Sequence, residues 1–278
     1  MAVAAVLLAV VVLRPADEPV LQPPPLSAPT TITVSDRNNK LYLAEGKDYR
    51  INLPPRPLRS VGGLLIVGGR NVVLIGGEIS RETPIAPSEP VSNAYGLYLK
   101  EQTGTVHLEG LWIHGRGIGQ ALVLDESRGA TIQVQSSRFE ALHPVGHVHT
   151  DGIQSFRGPN RLLLTNVTIR TAGVGIQTMP HQFGPVALGT WEFRRVNVQQ
   201  TTPDAYALWK AAHAGGWWRE IHENFWVDNR GYLAWPDESY WNPAGPARVE
   251  GQRFRIGVPR DGDFVPIGAV GVGYSAPD

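Results

Sequence analysis

The sequence predicts an all-β protein folded as a right-handed parallel β-helix, a solenoid of about seven coils with a cap at each end. Two repeated sequence patterns predict this fold class, and the composition agrees with it. The chain has 278 residues, of which 31 are glycine and 23 are proline, as expected for a fold with many tight turns. Hydrophobic residues make up 42% of the chain, which is enough for a continuous core.

The first pattern is a short element made of a small residue, an aliphatic residue and a variable residue. Its copies follow one another at intervals of about 23 to 32 residues, the range expected for successive coils of a solenoid. The copies are Gly96-Leu97-Tyr98, Ala121-Leu122-Val123, Gly152-Ile153-Gln154, Gly175-Ile176-Gln177 and Ala207-Leu208-Trp209, with a weaker one at Leu233-Ala234-Trp235.

The second pattern is a block with apolar residues at offsets 0, 2, 5 and 7, as in Val106, Leu108, Leu111 and Ile113. The step of three indicates that the chain turns a corner before strand alternation resumes. Residues that tolerate left-handed backbone stand at the predicted corners: Gly76, Gly110, Ser136 and Asn166. One block breaks the spacing by roughly one residue, which predicts a β-bulge; its apolar positions are Trp218, Ile221, Phe225 and Val227.

Residues 31–278 are predicted to form a single β-helix domain. The lead-in from Thr31 to Leu53 and the tail after Pro259 are assigned as caps, because open solenoid ends expose strand edges. Residues 1–30 comprise an apolar run from Ala2 to Leu13, shorter than the roughly 20 residues that span a bilayer, and a proline-rich extended linker. The run predicts export as an unusual signal peptide or a clipped anchor that tethers the protein through residues 2–13, and a buried segment is the alternative. We therefore expect a secreted, cell-surface or periplasmic protein.

Composition and turn chemistry exclude several other classes. The 25 basic and 25 acidic residues balance, whereas a nucleic-acid-binding protein normally shows a basic excess. Cysteine is absent, which excludes disulfides and thiolate catalysis. A β-sandwich would need hairpin signals between its strands, but Asp-Gly pairs occur only at Asp151-Gly152 and Asp261-Gly262, and the first of these lies inside a repeat. The oligomeric state is left open.

The repeats, together with Gly62-Gly63-Leu64-Leu65-Ile66 leading to Asn71-Val72-Val73-Leu74-Ile75-Gly76-Gly77, resemble the pectate-lyase-like β-helix superfamily over nearly all of residues 48–258. The resemblance implies the fold more than the activity, since that superfamily includes lyases, hydrolases, esterases, epimerases and proteins with no known catalysis.

The segment His149-Thr150-Asp151-Gly152-Ile153-Gln154 resembles the Asn-Thr-Asp-Gly-Ile-Asp signature of polygalacturonase-type glycoside hydrolases. Asp151 matches the first catalytic aspartate of that signature, while Gln154 replaces the second and His149 replaces the leading asparagine. An inverting hydrolase needs two carboxyl groups, one as acid and one as base. Because Asp151 lacks an evident partner on its own strand, the sequence favours a lyase over a hydrolase.

A lyase needs a base for the proton α to a uronate carboxylate, and donors or cations for the enolate charge. His149, Asp151 and His181 are the predicted catalytic residues, with His149 as the base. The predicted substrate-binding residues line one outward sheet, with Trp209 stacking on the sugar; they are Asp125, Gln154, Gln177, Trp209 and Lys210. The alternative for the two glutamines is an amide ladder that stabilises the sheet.

Four arginines could neutralise a substrate carboxylate: Arg157, Arg170, Arg194 and Arg195. A metal site is a further hypothesis, because His147, His149 and Asp151 alternate and would share one face of an extended segment. No cofactor is identified beyond a divalent cation, Ca²⁺ or Zn²⁺, at such a site.

These residues lead to two functional hypotheses. The first is an exported enzyme that acts on an acidic polysaccharide, by β-elimination rather than by hydrolysis. The second is a non-catalytic β-helix that binds glycan or builds a cell-surface or fibre assembly. In both, the expected partner is a polysaccharide.

Overall fold

A computed structural model describes residues 20–142, 150–201, 210–211, 219–228, 240–241, 248–251 and 254–276. This part of the chain is all-β, apart from the short 3-10 helix Val91–Ala94. Its strands, numbered in chain order, are β1 Thr30–Thr33, β2 Lys40–Leu43, β3 Tyr49–Asn52, β4 Leu64–Gly68, β5 Val72–Ile75, β6 Glu78–Ser80, β7 Tyr95–Lys100, β8 Thr105–Glu109, β9 Trp112–His114, β10 Gln120–Asp125, β11 Thr131–Ala141, β12 Asp151–Arg157, β13 Arg161–Thr171, β14 Val174–Thr178, β15 Thr190–Gln200, β16 Lys210–Ala211, β17 Arg219–Asp228, β18 Tyr240–Trp241, β19 Arg248–Gly251 and β20 Arg255–Ile256.

The strands pair in parallel between coils and form a β-solenoid of about six turns, close to the predicted seven. A large sheet, sheet A, has the order β1-β3-β5-β8-β11-β13-β15-β17-β19, with β6, β9 and β20 alongside this path. Sheet B has the order β14-β12-β10-β7-β4-β2. The predicted fold class, a parallel β-helix, is thereby confirmed.

The core consists of side-chain columns that run from coil to coil. In sheet B, Leu97 pairs in register with Leu122, Leu122 with Ile153, and Ile153 with Ile176. All four side chains are completely buried. The sequence predicted that Ile153 and Ile176 share one column, and this is confirmed.

The corner within sheet A forms a second column, of residues with left-handed backbone. The φ angles at the predicted corners are 68° for Gly76, 68° for Gly110, 45° for Ser136 and 54° for Asn166. The column continues through Arg195 at 52°, and the amide of Asn166 links its neighbours by donating to Ser136 Oγ at 3.3 Å and accepting from Arg195 Nε at 3.1 Å. The predicted corners are therefore correct.

The predicted β-bulge near Ile221 is wrong. Strand β17 keeps the register of β15, so that Glu220 pairs with Trp191 and His222 pairs with Phe193. Glu220 and His222 thus occupy core columns, where they are fully buried with His222 Nε2 3.1 Å from Glu220 Oε2. Ile221 lies on the outer face, and a polar pair in the core explains why the apolar spacing broke.

The described tail does not lie where a cap would. From Pro259 onward it runs back along the side of the coils, where Val265 N donates to Thr168 Oγ1 in β13 at 2.9 Å. Further along, Gly271 N donates to Gly110 O at 2.9 Å, in the turn that follows β8. The tail therefore holds successive coils together along their side. The prediction that it caps the end of the solenoid is wrong.

The proline-rich linker also contacts the solenoid in its described part. Leu21 N donates to Gln135 Oε1 in β11 at 2.9 Å, and Ser27 N donates to Asp48 Oδ2, just before β3, at 2.7 Å. The predicted lead-in cap forms the first coil, since β1 pairs with β3. The apolar run from Ala2 to Leu13 lies outside the described residues, which contain no helix long and apolar enough to cross a bilayer.

We expect Asn166→Val to destabilise the protein more than Asn166→Gly does. Both changes remove the same two hydrogen bonds, but only valine places a β-branched side chain at φ 54°. Left-handed backbone costs a residue with Cβ about 1–2 kcal/mol, and the difference in the free energy of unfolding between the two variants should approach that value. Urea unfolding measures it, and equal stability of the two variants would contradict the left-handed corner.

Candidate functional site

The outer face of sheet B carries four of the predicted site residues, in three rows that cross the coils. The register of β7, β10, β12 and β14 sets the rows. The first row lies at the strand starts, the middle row at the strand centres and the last row at the strand ends. The first row comprises Tyr95, Gln120 and Asp151; the middle row comprises Tyr98, Val123, Gln154 and Gln177; and the last row comprises Lys100, Asp125 and Arg157.

Asp151 is a completely buried carboxyl with half of its hydrogen bonds made. Gln120 Nε2 donates to Asp151 Oδ2 at 2.9 Å, while Asp151 Oδ1 has no partner among the described residues. Burial raises the pKa of Asp151 to about 8, and the Gln120 bond opposes this rise only in part. The carboxyl is therefore largely protonated at neutral pH, and one of its oxygens makes no hydrogen bond to a described residue.

Tyr95 occupies the same row two coils before Asp151, next to Gln120. Burial raises its pKa, and the nearby Asp151 charge adds to the rise, so the phenol stays protonated across the neutral range. The Tyr95 ring contacts the Tyr98 ring edge-on, with 5.4 Å between centroids. Tyr95 is thus a hydrogen-bond donor in the same row as Asp151 rather than a base.

The middle row brings Gln154 and Gln177 into register, as predicted. Their amide nitrogens do not join them, because Gln154 Nε2 donates to Ser155 O at 3.2 Å and Gln177 Nε2 to Met179 Sδ at 3.2 Å. The interpretation of the two glutamines as an amide ladder is therefore not supported by their hydrogen bonds.

The last row is a saturated ion cluster around Asp125. Lys100 Nζ donates to Asp125 Oδ2 at 2.7 Å, Tyr98 OH to the same oxygen at 3.1 Å, and Arg157 Nε to Asp125 Oδ1 at 2.5 Å. Burial would raise the pKa of Asp125, but Arg157 and Lys100 outweigh it and hold the pKa below its usual range. Both oxygens are taken, so this geometry gives Asp125 a structural role and leaves its predicted part in substrate binding without support.

Glu126 follows this cluster and is a second buried carboxyl. Gln102 N donates to Glu126 Oε2 at 2.8 Å, while Glu126 Oε1 has no partner in the described part of the chain. Burial raises the pKa of Glu126 to about 8, and the charges of Glu101 and Asp125 add to the effect.

His181 lies at the opposite end of β12 from Asp151. It forms an antiparallel bridge with Arg157, six residues beyond Asp151. At 3.3 Å per strand residue this separates the two by roughly 20 Å. The structure therefore does not bring the two predicted catalytic residues together.

Three of the predicted site residues lie outside the described residues: the catalytic His149, its neighbour His147 and the stacking Trp209. Lys210 is described only as part of the short strand β16. The metal hypothesis depends on His147 and His149, and the described residues contain no cluster of metal-ligating side chains.

The predicted carboxylate-binding arginines are engaged to different degrees. Arg157 is paired with Asp125 and Glu101, and Arg194 is paired with Glu192 and Glu223. Arg195 donates to Asn166 Oδ1 and stacks on Phe264. Arg170 approaches Glu140 only to 3.9 Å, which leaves it more available than the two paired arginines.

Sequence reasoning missed Tyr95 and Gln120. The signal was present, because each stands immediately before the small residue of a repeat copy, as Asp151 does. Aligning that position across the copies would have placed tyrosine, glutamine and aspartate in adjacent coils.

Comparison of the chain with protein-family models, with curated proteins and with solved structures gave no significant match.

The wild type and the Asp151→Asn variant should differ in stability, and the difference should depend on pH. In the unfolded chain the carboxyl titrates near 3.9, and in the folded protein near 8, so the folded state holds the extra proton between these values. The contribution of Asp151 to stability therefore falls as pH rises from about 4 to about 8. We expect Asp151→Asn to be more stable than the wild type at pH 8, by a few kcal/mol as an order of magnitude.

Urea unfolding at several pH values measures this difference. It should shrink toward zero as the pH is lowered to about 4. A stability difference independent of pH would show that Asp151 is not held protonated.

Asp125 should behave in the opposite way. Asp125→Ala leaves Arg157 and Lys100 without their shared partner, and breaking a buried pair costs roughly 3 kcal/mol. The matched control Lys100→Met removes only the more exposed arm and should cost about 1 kcal/mol or less. Because the folded-state pKa of Asp125 is lowered, its contribution is present above about pH 4 and is lost as the pH falls below that. Denaturation of both variants at pH 7 and at pH 3 tests this, and equal losses in the two variants at pH 7 would contradict it.

Proposed function

We propose that the protein is a carbohydrate-active member of the pectate-lyase-like superfamily that cleaves an acidic polysaccharide by β-elimination. The outer face of sheet B is the substrate surface, and the first row is the reaction centre. The observation that carries the proposal is the geometry of Asp151, a buried carboxyl with one oxygen held by Gln120 and the other without a partner among the described residues.

A structural role accounts poorly for this arrangement. Gln120 Oε1 is also buried without a described partner, so the pair has two buried oxygens that make no hydrogen bond to a described residue. Each such group costs about 1–3 kcal/mol, and an apolar pair of similar shape would avoid that cost. Perturbed, incompletely bonded titratable groups concentrate at functional sites.

In the reaction, Asp151 acts as the general acid. A base removes the proton α to the uronate carboxylate, the glycosidic C–O bond breaks, and the proton of Asp151 passes to the leaving oxygen. No water is consumed, and the product sugar gains a double bond. Tyr95, two coils away in the same row, offers a phenol donor to the substrate, and His149, two residues before Asp151, is the proposed base.

Hydrolysis fits the face less well. An inverting hydrolase requires carboxyl groups about 6.5–9.5 Å apart. Asp125, the other aspartate in the three rows, is five residues from Gln120, which corresponds to roughly 16 Å of strand. The proposal therefore keeps elimination as the reaction.

The proposal includes export, with the acidic polysaccharide met outside the cell or in the periplasm. The apolar run within residues 2–13 supports this location. A divalent cation, Ca²⁺ or Zn²⁺, held by His147, His149 and Asp151 would be a competing use of this carboxyl, because a metal ligand is deprotonated and could not act as the acid.

Incubation with a panel of uronate polysaccharides tests the activity, with ultraviolet absorbance reporting unsaturated products. The wild type should release such products from one substrate. Asp151→Asn should lower the rate by about 100-fold or more, as expected for loss of a general acid, and Asp261→Asn, a change at an exposed aspartate, should not. Folded wild-type protein that cleaves no uronate polysaccharide would favour the non-catalytic glycan-binding function.

The pH profile gives a sharper test. The rate should fall as pH rises through about 8, where Asp151 loses its proton. The bond from Gln120 lowers the pKa of Asp151, so Gln120→Leu should move this limb to higher pH. A limb that stays in place in the Gln120→Leu variant would assign it to another group.

A further inference from the structure

The loop that follows β14 folds back onto the end of β12. Met179 N donates to Ser155 O at 2.9 Å, and Gly158 N donates to Pro180 O at 3.0 Å. His181 then forms its bridge to Arg157. These contacts hold the loop beside the last row of the outer face.

The contacts of His181 identify which ring nitrogen carries the proton. Val186 N donates to His181 Nδ1 at 3.3 Å, so the neutral ring carries its proton on Nε2. That nitrogen is buried and has no partner in the described part of the chain. His181 thus presents one unused hydrogen-bond donor.

Gln177 presents the complementary acceptor four residues earlier. Its amide nitrogen donates to Met179 Sδ, while its Oε1 is buried and makes no hydrogen bond to any described residue. Only 9% of Gln177 is exposed. Buried polar atoms of this kind are normally satisfied by protein, water or ligand.

An aromatic pair joins the same loop to β12. The rings of Phe156 and Phe183 are 5.0 Å apart, and Phe183 is 54% exposed. An exposed aromatic ring on the same loop as polar groups that lack described partners is the chemistry of a sugar-binding subsite.

The neighbouring charges favour an uncharged ligand. Arg157 is paired with Asp125 and Glu101, and Lys100 is paired with Asp125. These two cations and two anions cancel, so the last row together with Glu101 has no net positive charge for a carboxylate or a phosphate.

We propose that Gln177, His181 and Phe183 form a second subsite that binds a neutral sugar unit. Through the proposed function at Asp151, on which this extension rests, the substrate is a polysaccharide that contains both uronate and neutral sugars. The roughly 20 Å between Asp151 and His181 places the neutral unit several sugars from the cleaved bond.

Calorimetric titration of the Asp151→Asn protein with neutral cello-, xylo-, manno- and galacto-oligosaccharides tests the subsite without cleavage. We expect binding of one of them. Adding Phe183→Ala should weaken it about tenfold, and Phe183→Tyr should restore it. His181→Phe, which removes the Nε2 donor, should also weaken binding. Tyr42→Ala, an exposed aromatic on β2, is the matched control and should leave the affinity unchanged.

Failure of binding to every neutral oligosaccharide would overturn the subsite. So would an affinity in the Phe183→Ala and His181→Phe variants that is the same as in the parent Asp151→Asn protein. Cleavage of uronate chains without neutral binding would overturn the subsite alone. Neutral binding with these mutational effects, but without any cleavage by the wild type, would support the subsite and overturn the proposed reaction.

Discussion

Parallel hydrogen bonding between successive coils is the constraint on which every other feature depends. Because each strand pairs in register with its counterpart one coil away, residues separated by 19 to 34 positions become neighbours about 4.8 Å apart. The contacts of a side chain are therefore set more by the column in which it lies than by its neighbours in the sequence. Ile153 and Ile176 build the core in this way, and Gln120 reaches Asp151 in the same way across 31 residues.

The interior of the solenoid could be predicted from sequence because its chemistry repeats. Every coil contributes an apolar residue to the core column and needs a corner residue that accepts left-handed backbone. The roles of Ile153 and Asn166 could therefore be predicted from the sequence. The exception was β17, where Glu220 and His222 satisfy each other inside the core. A search for apolar residues cannot detect a polar pair that fills core positions. The gap that this pair leaves in the apolar spacing led to the wrong prediction of a β-bulge.

The exterior could be predicted only in part, because nothing forces an outward position to repeat. The register placed Gln154 beside Gln177, but the partners of each amide depended on local loops. The contacts of the tail along the coils could not be predicted for the same reason. Val265 binds Thr168 through a single hydrogen bond, and such a bond produces no periodic pattern in the sequence. The positions of Tyr95 and Gln120 could have been predicted from the sequence, but only by aligning the residue before each small residue of the repeat as a column.

Asp125 and Asp151 show how one face can separate structure from chemistry. Both are aspartates on the same sheet, and both are almost completely buried. Asp125 receives three donors, two of them cationic, and its pKa is lowered. Asp151 receives a single neutral donor, and its pKa is raised. The two aspartates thus have opposite protonation states, because the cationic partners of Asp125 offset the desolvation cost of its charge and the single neutral partner of Asp151 does not. The ends of strands β10 and β12 are joined by a permanently charged cluster, while the carboxyl at the start of β12 keeps its proton.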